Sequence, residues 1–108
     1  MATRTKLLIV DSDLDALSKI YLALVHRNYK VEAADSPSEI PERLKRFKPC
    51  LLIIGQKEFT SFGEKLKMPV IVLRNEGETD ELAGSDASIL NKPVHTEALM
   101  QLIEELVV

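Results

Sequence analysis

The feature that most constrains the fold is an uninterrupted apolar run in the middle of the chain, from Cys50 to Ile54. Such a run without alternating polar residues predicts a strand that is buried on both faces, as in a parallel sheet covered by helices. Glycine follows at position 55. Functional side chains of open parallel sheets gather just beyond the carboxyl ends of the strands. We therefore expect this edge of the sheet to carry the functional site.

The remaining apolar runs alternate with apolar residues at helical spacing, which is typical of βαβ units. The chain has 108 residues, 45% of them hydrophobic and 29% charged, which suits one small globular domain spanning 1–108. Strands are predicted at 6–10, 30–34, 51–54, 70–73 and 87–90.

Three helices are predicted from apolar spacing and capping residues. Ser12 or Asp13 is available as the N-cap of the first helix. The second is expected to start late or to kink, because Pro41 lacks a backbone N–H. The last is predicted at 97–107. The first helix is predicted from apolar residues that recur at helical spacing: Leu14, Leu17, Tyr21, Leu24 and Val25.

Two connections are short for crossover helices. Residues 56–69 leave room for one or two helical turns, and residues 74–86 predict a loop with at most one turn around Leu82.

Short motifs at three strand ends, in this order, resemble those of the receiver domain of two-component response regulators. They are Asp11-Ser12-Asp13 after the first strand, Gly55 after the third and Leu90-Asn91-Lys92-Pro93 at the fifth. The resemblance implies an α/β, flavodoxin-like (CheY-like) fold of three α/β/α layers. Its five-stranded parallel sheet would have the order 2-1-3-4-5, with shortened third and fourth helices.

The acceptor and metal positions implied by the resemblance are degenerate. Active receivers end the third strand in an Asp that accepts phosphoryl, whereas this chain has Gly55 there. Asp11 matches the first acid of the metal-binding pair, but Ser12 stands at the second position. We therefore expect no metal and no catalytic residue. Asp11 and Asp13 are weak candidates for Mg²⁺, which would bind only if the acidic pocket is functional.

The other implied positions are partly kept. Arg74 replaces the hydroxyl residue after the fourth strand, while Lys92 and Pro93 match the family's Lys and Pro. We expect Arg74 to enter the crevice and pair with the acids, locking it in one state. Glu58 lies three residues past the third strand and is expected to need an irregular loop to reach inward.

These features predict a non-enzymatic pseudo-receiver, a protein-interaction module in cytoplasmic, bacterial-type two-component signalling. The alternative is an active or atypical phosphoaccepting receiver in a phosphorelay. A small α/β enzyme of another kind is a third interpretation.

A protein partner or a second copy in a homodimer is expected. The reason is that a shortened helix between the fourth and fifth strands would leave apolar surface uncovered. The net charge of −3 argues against direct nucleic-acid binding, and no apolar run is long enough for a membrane span. The lone Cys50 is expected to be a buried, inert thiol. The predicted interface residues are Phe59, Phe62, Leu66, Met68, Leu99, Leu102 and Leu106.

Overall fold

The computed structural model describes residues 5–62, 66–75 and 87–107. All strand pairs are parallel, and the sheet has the order β2-β1-β3-β4-β5, as predicted. The strands are β1 (Lys6–Val10), β2 (Lys30–Ala34), β3 (Leu51–Gly55), β4 (Val70–Arg74) and β5 (Ser88–Asn91).

Helices cover both faces of the sheet and produce the expected three layers. Alternate residues of β1 and β3 point into two separate cores. Helices α1 and α4 close the first core, and α2 and α3 lie over the second. The bounds are α1 (Leu14–His26), α2 (Ile40–Arg46), α3 (Gln56–Phe62) and α4 (Thr96–Val107).

The bounds of α2 and α3 agree with two expectations from the sequence. A 3₁₀ turn at Pro37–Glu39 precedes α2, so the α-helix starts late, at Ile40, with Pro41 in its first turn. The third helix is short, with seven residues. The loop predicted between β4 and β5, around Leu82, lies outside the described residues.

The apolar residues at helical spacing in α1 do not all face the core. The helix buries Leu17 and Leu24, but Leu14, Tyr21 and Val25 are exposed. Ile20 lies in the core instead. The three residues that face the sheet, Leu17, Ile20 and Leu24, follow one another at intervals of three and four residues, as one face of a helix requires. Helix α1 therefore carries apolar residues on two faces.

An ion-pair cluster ties α2 to the edge strand β2. Both Arg43 and Arg46 bind the carboxylate of Glu32, which is held between them. Hydrogen bonding from Arg46, the largest effect, and then from Arg43 keeps the pKa of Glu32 below its usual value.

Replacing Arg43 with Ala is expected to lower the free energy of unfolding by about 1 kcal/mol at neutral pH, since Arg43 is only half-buried and Arg46 remains. The folded-state pKa of Glu32 is lowered, so its stabilisation is present above the unfolded pKa. It is lost as pH falls through the folded pKa. The difference between variant and parent should therefore shrink in acid, which urea unfolding at two pH values measures. Lys45→Ala, an exposed change on the same helix, should have little effect at either pH.

Candidate functional site: a closed acid cluster

A buried ion pair links the carboxyl ends of β1 and β5. Asp11 directly follows β1 and is 2% exposed. Its Oδ1 accepts a hydrogen bond of 2.9 Å from the Asp13 backbone N–H. Its Oδ2 lies 2.7 Å from Nζ of Lys92, which follows β5. The Lys92 ammonium is also 3.6 Å from Oδ2 of Asp13, so Lys92 pairs with both carboxylates.

Glu58 enters the same cluster from α3. The helix begins at Gln56 directly after β3, which places Glu58 in the first turn, near the strand end. Its Oε1 accepts hydrogen bonds from the Ser12 backbone N–H at 2.9 Å and from the Ser12 hydroxyl at 3.4 Å. Glu58 is 4% exposed. The expectation that it needs an irregular loop is wrong, because a helix continuing the strand turns its side chain back.

The Glu58 carboxylate fills the space that a side chain at position 55 would use. A Cβ built on Gly55 would lie 2.7 Å from Glu58 Oε1 and 3.2 Å from Asp11 Oδ1. The first distance is too short for a carbon–oxygen contact. Gly55 is thus compatible with this arrangement because it has no side chain, and a carboxylate is present at the strand end after all.

The surroundings of Glu58 raise its pKa above the usual value of a glutamate side chain. Burial raises the pKa of Glu58, and the neighbouring Asp11 raises it further. The hydrogen bonds from Ser12 act in the opposite direction. The cation of this cluster, the Lys92 ammonium, pairs with Asp11 and Asp13.

Replacing Glu58 with Gln is expected to raise the melting temperature at neutral pH. The raised folded-state pKa means that wild-type stability falls as pH rises from the unfolded pKa through the folded one. The amide oxygen keeps an acceptor for Ser12 and removes this penalty. Below the unfolded pKa the advantage should disappear. Thermal unfolding followed by circular dichroism across acid and neutral pH measures it, and a Gln variant that is less stable at neutral pH would contradict the assignment.

The predicted Arg74 lock is wrong. Arg74 Nε donates to Asn91 Oδ1 at 2.9 Å, an exposed hydrogen bond. The two residues are register partners on β4 and β5, so their side chains lie side by side. Lys92 pairs with the acids instead.

Asp13 caps α1, as one interpretation of the sequence had it. Its Oδ1 accepts from the Ala16 backbone N–H at 3.4 Å, and half of its side chain is exposed. Both Asp11 oxygens are already engaged, by the Asp13 N–H and by Lys92. A divalent cation would have to displace the Lys92 ammonium, and the described residues hold no cluster of three or more potential ligands. The residues as arranged do not fit Mg²⁺.

Pro93 follows Lys92 through a cis peptide bond and lines a groove of 440 Å³ between α1 and α4, beside the acid cluster. Lys19 and Thr96 lie on opposite walls of this groove. The sequence does not reveal this groove, because its walls come from distant segments.

Two expectations about exposure are corrected by the structure. Cys50 is exposed rather than buried, because it lies just before β3 at the edge of the sheet opposite the acid cluster. Leu99 is 1% exposed and belongs to the core, so it cannot form an interface. The other predicted interface residues pack partly buried against the two cores: Phe59, Phe62, Leu66, Met68, Leu102 and Leu106.

Similar folds were found among solved structures. A CheY-like response regulator receiver domain from Methanospirillum hungatei JF-1 is 26% identical, with a TM-score of 0.80, covering 95% of this chain and 93% of that one. A putative response regulator from Chloroflexus aurantiacus J-10-fl has a TM-score of 0.81 at 22% identity, covering 96% and 98%. The signal receiver domain of a putative Luxo repressor protein from Vibrio parahaemolyticus has a TM-score of 0.77 at 16% identity, covering 95% and 89%.

These structures confirm the resemblance stated from the sequence: the chain has the CheY-like fold of response regulator receiver domains. No family model and no curated protein matches it. Within the described ranges, no helix is long and apolar enough to cross a membrane.

Proposed function

We propose that this chain is a pseudo-receiver, a cytoplasmic protein-interaction module of two-component-type signalling that neither accepts phosphoryl nor acts as an enzyme. The observation that supports this most directly is the Glu58 carboxylate, which occupies the place of a side chain at Gly55. Lys92, the cation that resembles the family's phosphoryl-binding Lys, is engaged by Asp11.

The site lacks what phosphoryl transfer requires. The transition state needs an exposed in-line nucleophile and cations that stabilise the charge on the transferred group. Glu58 is buried and its carboxylate accepts hydrogen bonds from Ser12, which makes it a poor nucleophile. Lys92 is neutralised within the cluster. We therefore propose that the chain uses neither Mg²⁺ nor another cofactor.

A second candidate function is favoured by the same placement of Glu58. Its carboxylate lies at the end of β3, so an atypical receiver would use Glu58 as the phosphoryl acceptor. Opening this site would require α3 to turn outward and Lys92 to leave Asp11.

An NMR titration with Mg²⁺ and beryllofluoride, a phosphoryl mimic, separates the two candidates. The pseudo-receiver should show no saturable shifts of the Asp11, Gly55 and Lys92 amide signals. Saturable shifts that disappear in Glu58→Gln but persist in Glu42→Gln, a matched change on exposed α2 surface, would establish the atypical receiver.

A further inference from the structure

A row of lysines follows the edge of the sheet at which the strands begin, opposite the acid cluster. Strands β2 and β1 start with Lys30 and Lys6, which are register partners. Lys48 and Lys67 each lie three residues before the first residue of β3 and of β4. The backbone N–H of Cys50 donates to the Lys6 carbonyl at 3.0 Å and so holds the start of β3 beside β1. We name the four lysines, in the order of their strands in the sheet, the lysine row.

The lysine row forms no ion pair with the other residues that the structure describes. Lys30, Lys48 and Lys67 are exposed, and the Lys6 ammonium lies 5.7 Å from the centre of the Phe47 ring. The described arginine side chains, in contrast, each donate to a side-chain oxygen. The row therefore presents four cations without carboxylate partners on a chain whose net charge is −3, and it attracts anions locally.

The row and the acids at the same end of the molecule lie on different faces of the sheet. Lys6 alternates with Leu7 of the first core, so its side chain and that of its register partner Lys30 point to the face that α2 covers. Burial, and then the charge of Glu104 on α4, raises the pKa of Tyr29, which directly precedes β2. Glu104 therefore lies near this end, but α4 covers the other face.

We propose that the lysine row binds the acidic face of a helix from a partner protein. The starts of β2, β1, β3 and β4 span about 15 Å, because neighbouring strands lie about 4.8 Å apart. Acidic residues at positions i, i+4, i+7 and i+11 of a helix lie on one face, roughly 5–6 Å apart, and span about 16 Å. Such a face matches the row in sign, spacing and length. This inference rests on the proposed role as an interaction module, for which it names the surface and the chemistry of the partner.

Other anionic partners match the row less closely. Nucleic-acid sites combine cations with aromatic platforms and free arginine forks. Here Arg27 and Arg46 are held by carboxylates, and Phe47 is buried below Lys6. A flat anionic membrane would cover the whole end of the molecule and also meet Glu104, whereas a single helix can lie along the row on the α2 side.

NMR titration of the full chain with a synthetic helix tests the surface. The probe is an alanine-based peptide of about twenty residues with Glu at positions i, i+4, i+7 and i+11. At low ionic strength it should shift the amide signals of the lysine row saturably, with a Kd on the order of 1 mM, because each exposed ion pair contributes little. Raising the ionic strength to a physiological value should raise the Kd at least fivefold.

Charge reversal assigns the binding to the row. Lys30→Glu and Lys48→Glu should each raise the Kd at least threefold, and the double variant should lose the saturable shifts. Lys19→Glu makes the same charge change on exposed α1 and should leave the Kd unchanged. All three lysines are exposed, so circular dichroism should show wild-type melting for every variant. A peptide of the same composition, with its Glu residues distributed around the helix, should bind at least threefold more weakly.

The proposal would be overturned by a wild-type chain without saturable shifts, by a Lys19→Glu variant that binds as weakly as Lys30→Glu, or by equal binding of the two peptides. Tighter binding to phosphatidylserine vesicles or to single-stranded DNA than to the peptide would overturn it in favour of lipid or nucleic acid. Self-association that Lys30→Glu abolishes would assign the row to a second copy instead. A chain that binds the peptide as described yet accepts phosphoryl would refute the proposed function alone.

Discussion

Replacing Lys92 with Met is expected to lower the free energy of unfolding by about 3 kcal/mol at neutral pH. Asp11 is almost fully buried, and Lys92 is the cation 2.7 Å from its Oδ2. Met retains most of the apolar stem of Lys92 but leaves the Asp11 charge without a partner in a low-dielectric site. Urea unfolding at neutral pH measures the loss.

The matched change Lys19→Met replaces an exposed lysine on α1 and should alter stability by less than about 0.5 kcal/mol. Combining Lys92→Met with Asp11→Asn should recover part of the loss, because the uncompensated charge is removed. Equal losses for the two lysines would show that the ion pair does not stabilise the fold.

Replacing Gly55 with Ala is expected to cost about 1 kcal/mol. The new methyl group would lie 2.7 Å from Glu58 Oε1, so the Glu58 carboxylate, at the end of a flexible side chain, must shift and its hydrogen bonds from Ser12 must lengthen. Chemical unfolding measures the cost, and the NMR shift of the Ser12 amide reports the displacement.

A double-mutant cycle with Glu58→Ala isolates the contact. Gly55→Ala should be clearly less costly when Glu58 is already truncated, because the Cβ then meets only Asp11, at 3.2 Å. Additive effects would contradict the conclusion that Glu58 fills the space at position 55.

The sheet was predictable because its strands follow directly from burial. The strand Leu51–Gly55 lies in the centre of the sheet with both faces covered. Its continuous apolar sequence predicts this burial on both faces. The bounds of β1 and β2 were predicted without error, since each has a clear polar boundary. The late start of α2 followed from the backbone chemistry of Pro41.

The sequence placed Asp11, Asp13 and Lys92 at the same edge of the sheet, but it did not give their pairing. Lys92 and Arg74 are both cations at strand ends, and the sequence does not say which of them turns toward Asp11. The register of β4 against β5 settles this, because it sets Arg74 beside Asn91. Glu58 was underestimated for a similar reason: its reach depends on α3 starting without an intervening loop.

The rotation of α1 about its own axis could not be predicted from the sequence. Two overlapping apolar stripes exist in this helix, and helical periodicity alone does not reveal which one the sheet covers. The stripe left outside, with Leu14, Tyr21 and Val25, is exposed.

Intact-protein mass spectrometry after incubation with acetyl phosphate and Mg²⁺ decides whether this chain accepts phosphoryl. The wild-type chain is expected to keep its unmodified mass, because Gly55 offers no acceptor and Glu58 is buried and hydrogen-bonded. A gain of one phosphoryl group that hydroxylamine removes would contradict it, since that lability identifies an acyl phosphate on a carboxylate of this chain.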